Sequence, residues 1–420
     1  ETGKGIRQAT LPVTAYLAGR PMFAFGFCHI NAKHQSSMHR KLRMGQIGGS
    51  LDAFIGAVHR RAAGFDNEIE LVCGVFSQSP DKSKATGKAL YLPDNRVYES
   101  FEDMILREKE LPDGERMDFV SIVTPNHMHF PPAKMALENG FHVICDKPMT
   151  LNLPEAKELA AIVESTGLVF GLTHNYTGYP MVKEARDMVR NGKLGKLRKV
   201  VVEYPQGWLS KYEEGNNYKQ AIWRTDPTKS GAAGAMGDIG THAENLAEYV
   251  TGLKIEALCA DLSTFVPGRL LDDDGNVLLR FEGGAKGVLH ASQISNGEEN
   301  SLKIYVYGEL GGIEWHQMEP NTLHYKTQEG HRLLRPAVGD LSASAKAHWR
   351  MPAGHPEGFF EAFANIYRNF AFAVKAHMKG EQRDPLYDFP SAQDGVRGLA
   401  FIDTVLASNK SSEKWTKFID

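Results

Sequence analysis

From residue 41 onward the chain alternates short apolar runs with amphipathic ones. That alternation restricts it to a mainly parallel sheet with helices packed on its faces. Residues 42–47 read as a first strand, followed by the turn Gly48-Gly49-Ser50 and a helix over 54–62. Residues 70–76 are a second strand, after which Ser79-Pro80 offers an N-cap with proline at the first helical position. Residues 117–123 form another strand ending at Thr124-Pro125-Asn126, and 131–139 its helix. Residues 141–145 are short, apolar and bounded by Gly140 and Pro148, as a buried parallel strand is. A helix over 154–165, closed by Gly167, follows.

After about residue 168 the pattern changes. Residues 168–173, 197–204 and 255–266 read as strands, and 276–294 as a hairpin turning at Glu282-Gly283-Gly284-Ala285. Residues 302–307 and 312–318 continue a mostly antiparallel run, and helices over 357–377 and 392–408 close the chain. The expected fold class is α/β: a doubly wound parallel sheet, then an α/β domain with a large, mostly antiparallel open sheet. The expected domains are an unassigned extension over 1–40, a dinucleotide-binding domain over 41–167, and a substrate-binding and oligomerisation domain over 168–420. The extension shows no sustained period, and its mildly apolar stretch carries Arg20 and Pro21, a poor signal-peptide core.

Composition narrows the function classes. A net charge of −3 gives no electrostatic case for nucleic acid or an anionic membrane. No apolar run approaches the roughly 18–20 residues of a membrane span. Cys28, Cys73, Cys145 and Cys259 are scattered without a CxxC pair, and three lie in strand-like apolar runs. Reduced core thiols and a cytoplasmic location are therefore expected.

A turn of two glycines between a strand and a helix supplies backbone N–H groups and a positive dipole end to a pyrophosphate. Gly48, Gly49 and Ser50, with Phe54 and Ile55 at the helix start, are the candidates, although the literal GxGxxG is absent. A reader of the ribose 2′-OH of NAD would put Asp or Glu at the end of the second strand. Ser77 stands there instead, with Lys82 beyond it, which suits a 2′-phosphate. NADP(H) is favoured and NAD(H) stays open; the competing reading makes Lys82 and Lys84 the solvent face of the next helix. Thr124, Pro125, Asn126 and His129 are placed along the ribose and nicotinamide, against the alternative of a structural turn. Trp223 and Arg224 are added to the cofactor side.

The chemistry centres on two clusters. Asp146-Lys147-Pro148 ends an apolar strand, so a carboxylate and an ammonium face the crevice where open α/β sheets bind ligands. Asp238 and His242 are four apart, on one face of a helix whose buried stripe is Ile239, Ala243, Leu246, Ala247 and Val250. The plain alternative is an Asp238 N-cap and a surface His242. Hydride transfer from an alcohol needs a base for the hydroxyl proton, and His is suited to it. A lysine beside the oxygen stabilises developing alkoxide, and Asp238 would orient the substrate or hold the imidazole. No metal is needed, and the close pair His127/His129 has no evident third ligand near it and is not read as a zinc site. Asn175, Tyr176, Gln206, Trp208, Trp223, Arg224 and His355 are available to a polyol through ring faces and hydrogen bonds.

From about Lys41 to its end the chain resembles the Gfo/Idh/MocA family of sugar and polyol oxidoreductases. The Gly48-Gly49 turn, Thr124-Pro125-Asn126, Asp146-Lys147-Pro148 (a variant of that family's Glu-Lys-Pro) and Gly237-Asp238 through His242 carry the resemblance. It implies an N-terminal Rossmann domain, and a C-terminal α/β domain whose open sheet packs on a partner subunit in a homodimer or homotetramer. It also implies Lys147, Asp238 and His242 as the catalytic trio. Ser77 and Lys82 depart from the acidic ribose reader and are similar to NADP-using glucose-fructose oxidoreductase. Thr177 stands where many relatives carry Arg. The expected activity is hydride transfer between NAD(P) and a secondary hydroxyl or ketone of a sugar, sugar derivative or cyclitol. Two rivals stay in view: an NAD-dependent glycoside hydrolase of the same fold, and a non-catalytic nucleotide-sensing or scaffold protein. The intact trio argues against the scaffold.

Overall fold

The computed structural model describes residues 40–216 and 218–419, so the expected N-terminal extension lies outside it except for Arg40. Strand β1 (Leu42–Ile47) runs into the Gly48-Gly49 turn and helix α1 (Phe54–Phe65). There follow β2 (Ile69–Val75), α2 (Pro80–Ala89), α3 (Phe101–Glu110), β3 (Phe119–Ile122), α4 (Phe130–Glu138), β4 (His142–Cys145), α5 (Leu153–Thr166) and β5 (Phe170–Leu172). The five strands pair in parallel in the order β2-β1-β3-β4-β5. Strand order reverses at β1, and a crevice outside the carboxyl ends of β1 and β3 is the geometric result.

The chain continues through α6 (Pro180–Arg190), β6 (Leu197–Pro205), α7 (Lys219–Arg224), α8 (Pro227–Ser230), a π turn (Met236–Gly240) and α9 (Thr241–Thr251). Strands β7 (Ile255–Ser263), β8 (Asp274–Phe281), β9 (Lys286–Ser292), β10 (Lys303–Gly308), β11 (Gly312–His316), β12 (Leu323–Thr327) and β13 (Gly330–Leu334) come next. Helices α10 (Ala343–Lys346), α11 (Phe359–Met378) and α12 (Ala392–Lys410) and the short β14 (Thr416–Lys417) end it. The second sheet has nine strands in the order β13-β12-β11-β10-β6-β9-β8-β7-β14. Only β6 and β9 pair in parallel; the remaining neighbours are antiparallel.

Burial explains why the two sheets read so differently in sequence. All four residues of β3 and of β4 are buried, because helices cover both faces of the parallel sheet. In β8, Gly275, Val277, Leu279 and Phe281 turn inward while Asn276, Leu278 and Arg280 turn out, the alternation of a sheet covered on one face only. Cys73 and Cys145 are buried free thiols and Cys259 is a half-buried one, while Cys28 lies outside the described residues. No described helix is long and apolar enough to cross a membrane.

Two findings correct the division at 167/168. Residues 170–172 pair in parallel with β4, so the first sheet takes a fifth strand from what the sequence assigns to the following domain. Helix α11, far along the chain, packs Phe363, Ile366, Tyr367, Phe370 and Val374 on Leu42, Met44, Phe119 and Ile144 of the parallel sheet. Phe119 and Phe370 meet edge to face with centroids 5.1 Å apart. An open parallel sheet has to bury both faces, and the C-terminal half of the chain supplies one cover.

Several imidazoles are buried with the core. Burial first, then His377, pushes His142 down to about 4. Burial and the Lys147 charge push His174 down to about 3. In the unfolded chain both return to about 6.5, so protonation below that value favours unfolding. Their contribution is complete above about pH 6.5 and drains as pH falls toward the folded-state values. Thermal melts are expected to show a falling Tm from pH 6.5 to 4.5, with a shallower slope for His142→Asn. A Tm constant across that window would mean that these rings carry charge in the folded protein.

Candidate active site

The Gly48-Gly49 turn is built for close approach. Gly48 and Gly49 have φ of +86° and +75°, a region that disfavours any side chain. A Cβ on Gly49 would stand 2.7 Å from the Cα of Gly56, one turn into α1, and a Cβ on Gly48 would stand 2.9 Å from Thr124 Cγ2. Helix α1 begins at Ala53 without a side-chain cap and without an acidic residue in its first turn. Its leading N–H groups are thus left to an anionic ligand, which the bare glycine cradle admits. A dinucleotide pyrophosphate fits this arrangement.

A cavity of about 610 Å³ extends from this turn along the strand ends. Of the sequence-predicted cofactor residues, Gly48, Gly49, Ser50, Ile55, Ser77, Thr124, Pro125, Asn126, Asp146, Lys147, Trp223 and Arg224 line it. Three do not. Phe54 is 70% exposed at the outer side of the first helical turn, while its neighbours Ala53 and Ile55 face the cavity. Lys82 lies outside the lining on the solvent side of α2, 3.8 Å from Asp52. His129 is fully buried, with Nδ1 2.7 Å from the Pro148 carbonyl and Nε2 2.8 Å from that of Thr124. It braces the turn after β3 against the turn after β4, with a backbone carbonyl beside each ring nitrogen.

Lys147 leaves the end of β4 and reaches across to the π turn. Its Nζ donates to Asp238 Oδ1 at 2.8 Å and also to the Asp238 backbone carbonyl. Gln293 Nε2 donates to Asp238 Oδ2 at 2.8 Å, and Arg224 Nε lies 3.3 Å from the same oxygen. Burial works to raise the Asp238 pKa, but Lys147 and Arg224 outweigh it and hold the carboxyl well below its usual range. Asp238 is not the helix N-cap. Ala235 holds the cap position, and Asp272, from the segment before β8, accepts from the N–H groups of Gly234 and Met236 at 2.6 and 2.8 Å. The π turn that follows sets Asp238 and His242 out of regular α register, a distortion frequent at functional sites.

Beneath Lys147, Asp146 accepts from Thr173 Oγ1 at 2.8 Å and from the Lys147 N–H at 2.9 Å, and lies 3.8 Å from His59 Nε2. Burial opposes its ionisation; His59 and Lys147 overcome this and keep the carboxyl well below the usual range. His59 in turn meets Tyr367 Oη at 2.7 Å. Helix α11 therefore supports the end of β4 from below.

His242 stands four residues beyond Asp238 and is buried, with Nδ1 3.2 Å from Nδ1 of His174. Burial, Lys147 and His174 all push its pKa well below the ordinary imidazole value, so the ring is neutral and has a lone pair to offer. Tyr176 crosses it edge to face at 4.9 Å between centroids, and Tyr204 at 6.3 Å. Tyr204 Oη and Gln206 Nε2 both donate to Asn300 Oδ1, at 2.7 and 2.6 Å, and Trp208 Nε1 donates to Gln206 Oε1 at 2.9 Å. The Arg224 guanidinium covers Trp223 at 4.2 Å and Trp208 at 5.9 Å. Tyr176, Gln206, Trp208, Trp223 and Arg224 are thus linked by contacts into one wall beside Asp238 and His242, while Asn175 is buried next to Tyr176 in the turn after β5. Gln206 and Trp208 already bond to this wall, so their ring and edge faces, rather than free amides, are what they present.

His355 is the exception. It sits exposed in the loop before α11 and approaches only the carbonyls of Pro352 and Ala353, so the structure does not bring it to the site. Conversely, His174, Tyr204, Gln293, Asn300 and Gly56 were not singled out in sequence. His174 had a signal, as the neighbour of Asn175 in one post-strand turn. Gln293 and Asn300 had none, since they arrive from the far end of the β9 strand and the loop after it.

Residues 44–174 match the family described as oxidoreductase family, NAD-binding Rossmann fold, and residues 182–314 match the GFO/IDH/MocA C-terminal domain. A Bacillus subtilis protein described as an uncharacterized oxidoreductase is 33% identical over 90% of this chain and 97% of its own length. Levoglucosan dehydrogenase of Pseudarthrobacter phenanthrenivorans is 26% identical over 75% of this chain and 83% of its own. The crystal structure of an inositol dehydrogenase homologue from Azotobacter vinelandii, complexed with NAD+, is 33% identical with a TM-score of 0.87, covering 92% of this chain and 99% of that one. The chain belongs to the Gfo/Idh/MocA family of oxidoreductases and carries that family's NAD-binding fold.

Gly49→Ala places a methyl against Gly56 at a strained backbone position, and the turn has to open. NADH affinity by calorimetry is expected to fall at least about tenfold, with a loss of about 1–3 kcal/mol in stability. Wild-type affinity in this variant would mean that the dinucleotide does not lie along the turn.

Proposed function

We propose that this chain oxidises a secondary hydroxyl of an uncharged sugar, sugar derivative or cyclitol, or reduces the matching ketone, with a nicotinamide dinucleotide as hydride carrier. The observation that carries the reading is the Lys147–Asp238 bridge at the inner end of the dinucleotide cavity, with neutral His242 four residues on. When bound, the nicotinamide supplies or receives the hydride. Everything else is done by the chain's own side chains. The His242 lone pair takes the hydroxyl proton. Two of the three N–H donors of Lys147 are spent on Asp238, which leaves one for the substrate oxygen as negative charge develops there. Asp238, clamped by Lys147, Arg224 and Gln293, fixes where that third donor points.

The charge balance supports an uncharged substrate. Among the described cavity-lining cations, Lys147 and Arg224 pair with Asp238, Lys219 with Asp52 at 2.9 Å, and Lys229 with Asp226 at 2.8 Å. A phosphate or carboxylate on the substrate would have to break one of these pairs. Ring faces of Tyr176, Trp208 and Trp223 suit sugar C–H surfaces. The Nδ2 of Asn175 is buried without a partner, a donor in wait for a hydroxyl. Myo-inositol, bound with NADH in a crystal structure of the Azotobacter vinelandii homologue, and levoglucosan, named for the Pseudarthrobacter dehydrogenase, are uncharged molecules of this class.

At the ribose, the reading is that NADP(H) is accepted beside NAD(H). No carboxylate stands at residues 76–78 to hold a 2′-OH or repel a 2′-phosphate, which supports NADP(H). Lys82, however, lies 3.8 Å from Asp52, a carboxylate it shares with Lys219, so part of its attraction for a 2′-phosphate is already spent. We further read the outward face of the nine-stranded sheet, with half-exposed Leu278 and Tyr307, as the contact with a second copy in a homodimer or homotetramer. The free thiols support a cytoplasmic location.

Incubation with inositols, aldoses and anhydrosugars is expected to reduce NAD+ with at least one of them. His242→Ala and Lys147→Ala should each lower kcat/KM by about a thousandfold or more, and His242→Ala should keep NADH binding. Undiminished turnover by both variants would overturn the assignment. Asp52→Asn frees Lys82 and Lys219 together and is expected to improve NADPH over NADH binding by up to about fivefold, the scale of one exposed ion pair, a gain that Lys82→Met in the same background should remove. An unchanged ratio would remove Lys82 from cofactor discrimination.

A further inference from the structure

The contact between His174 and His242 determines more than packing. The two Nδ1 atoms are 3.2 Å apart, and the rings cross at 86° with centroids separated by 5.1 Å. Both rings are buried. The charged groups facing them are Lys147 and Asp146 from the end of β4. The titratable groups packed on His242 from the other elements are Tyr176 and Tyr204. Neither phenol ionises near neutrality, since burial raises both.

Two Nδ1 atoms in hydrogen-bond contact can share one proton only, so one ring donates and the other accepts. A neutral imidazole carries its proton on one nitrogen. If His174 were the donor, His242 would hold its own proton on Nε2 and have no lone pair left for a substrate. If His242 donates from Nδ1, its Nε2 lone pair is free. The two arrangements also differ once the proton has moved. An imidazolium at His242 has an N–H on both nitrogens. Its Nδ1–H then meets either the lone pair of His174 or a second N–H. Only the first arrangement suits both the resting and the proton-loaded states.

We propose that His174 is a positioning residue that accepts at Nδ1 and so holds His242 as the Nδ1–H tautomer, presenting Nε2 as the base for the substrate hydroxyl. This rests on the reading of His242 as proton acceptor. The step balances without a further reactant. The hydroxyl proton passes to His242 Nε2, the C–H hydride departs to the nicotinamide, and the carbonyl forms. The Nδ1 proton stays where it was, its bond to His174 strengthened by the new charge.

The test uses the full-length chain with 15N-labelled histidine. In the wild type, NMR is expected to show His242 protonated at Nδ1 and His174 protonated at Nε2, with signals assigned by loss in His242→Gln and His174→Phe. His174→Phe keeps a ring in the space but has no acceptor. It should lower kcat/KM for the best polyol by about a hundredfold or more, the scale of a misassigned tautomer or a lost acid–base group. NADH binding should stay within about twofold. His174→Asn retains an acceptor oxygen near the Nδ1 position and should recover most of the rate. A wild-type spectrum with the proton on His174 Nδ1 would overturn the proposal, as would wild-type kcat/KM in His174→Phe. If the wild type turns over no sugar or cyclitol, the redox reading fails while the tautomer measurement still decides this one.

Discussion

A single ion pair ties this molecule's two sheets to one chemical purpose. Lys147 comes from the end of a parallel strand and Asp238 from the π turn that precedes α9, and they meet at 2.8 Å. Each is mostly withdrawn from water, so either one left alone would carry an uncompensated charge in a poor solvent. Arg224 and Gln293 complete the carboxylate's bonding, and the Asp238 carbonyl completes part of the ammonium's. The net value of such a pair to stability is small, but the loss from breaking it is large. Assembly of the site and docking of the second sheet on the first are therefore the same event.

Around that bridge the structure keeps charges matched and histidines neutral. Every described cation along the cavity faces a carboxylate, while His174 and His242 are stripped of charge by burial and by Lys147. In the function proposed here, such a site puts one mobile proton at a His242 nitrogen and one spare Lys147 N–H at the substrate oxygen. The floor beneath it is supplied by α11 through Tyr367, His59 and Asp146, a chain of contacts that joins residues more than three hundred positions apart.

The parallel strands were legible because burial on both faces makes them continuous apolar runs bounded by Gly and Pro. The β8–β9 hairpin was legible because one face alone is covered. The fifth parallel strand was assigned to the wrong unit, since residues 168–173 carry no mark of which sheet they join. Helices α3 and α6 and the hairpin of β12 and β13 were passed over. His129 illustrates the limit at the site: a polar residue beside a cofactor turn reads as a ligand contact, yet each of its nitrogens faces a backbone carbonyl. His355 had the right chemistry in a loop that never reaches the cleft.

What the sequence determined by itself was everything that depends on short-range pattern. Strand periodicity, the glycine turn, the polar cluster at a strand end and the Asp238–His242 spacing are all local, and local chemistry expresses them directly. What only the tertiary structure decided was pairing. The partners of Asp238 are Lys147, Arg224 and Gln293, from three separate segments; that of His242 is His174; and the cover of the first sheet is α11. Such contacts join residues tens to hundreds of positions apart, and no periodicity in the chain encodes them. They are selected when burial leaves each charge and each unpaired nitrogen a single neighbour able to satisfy it.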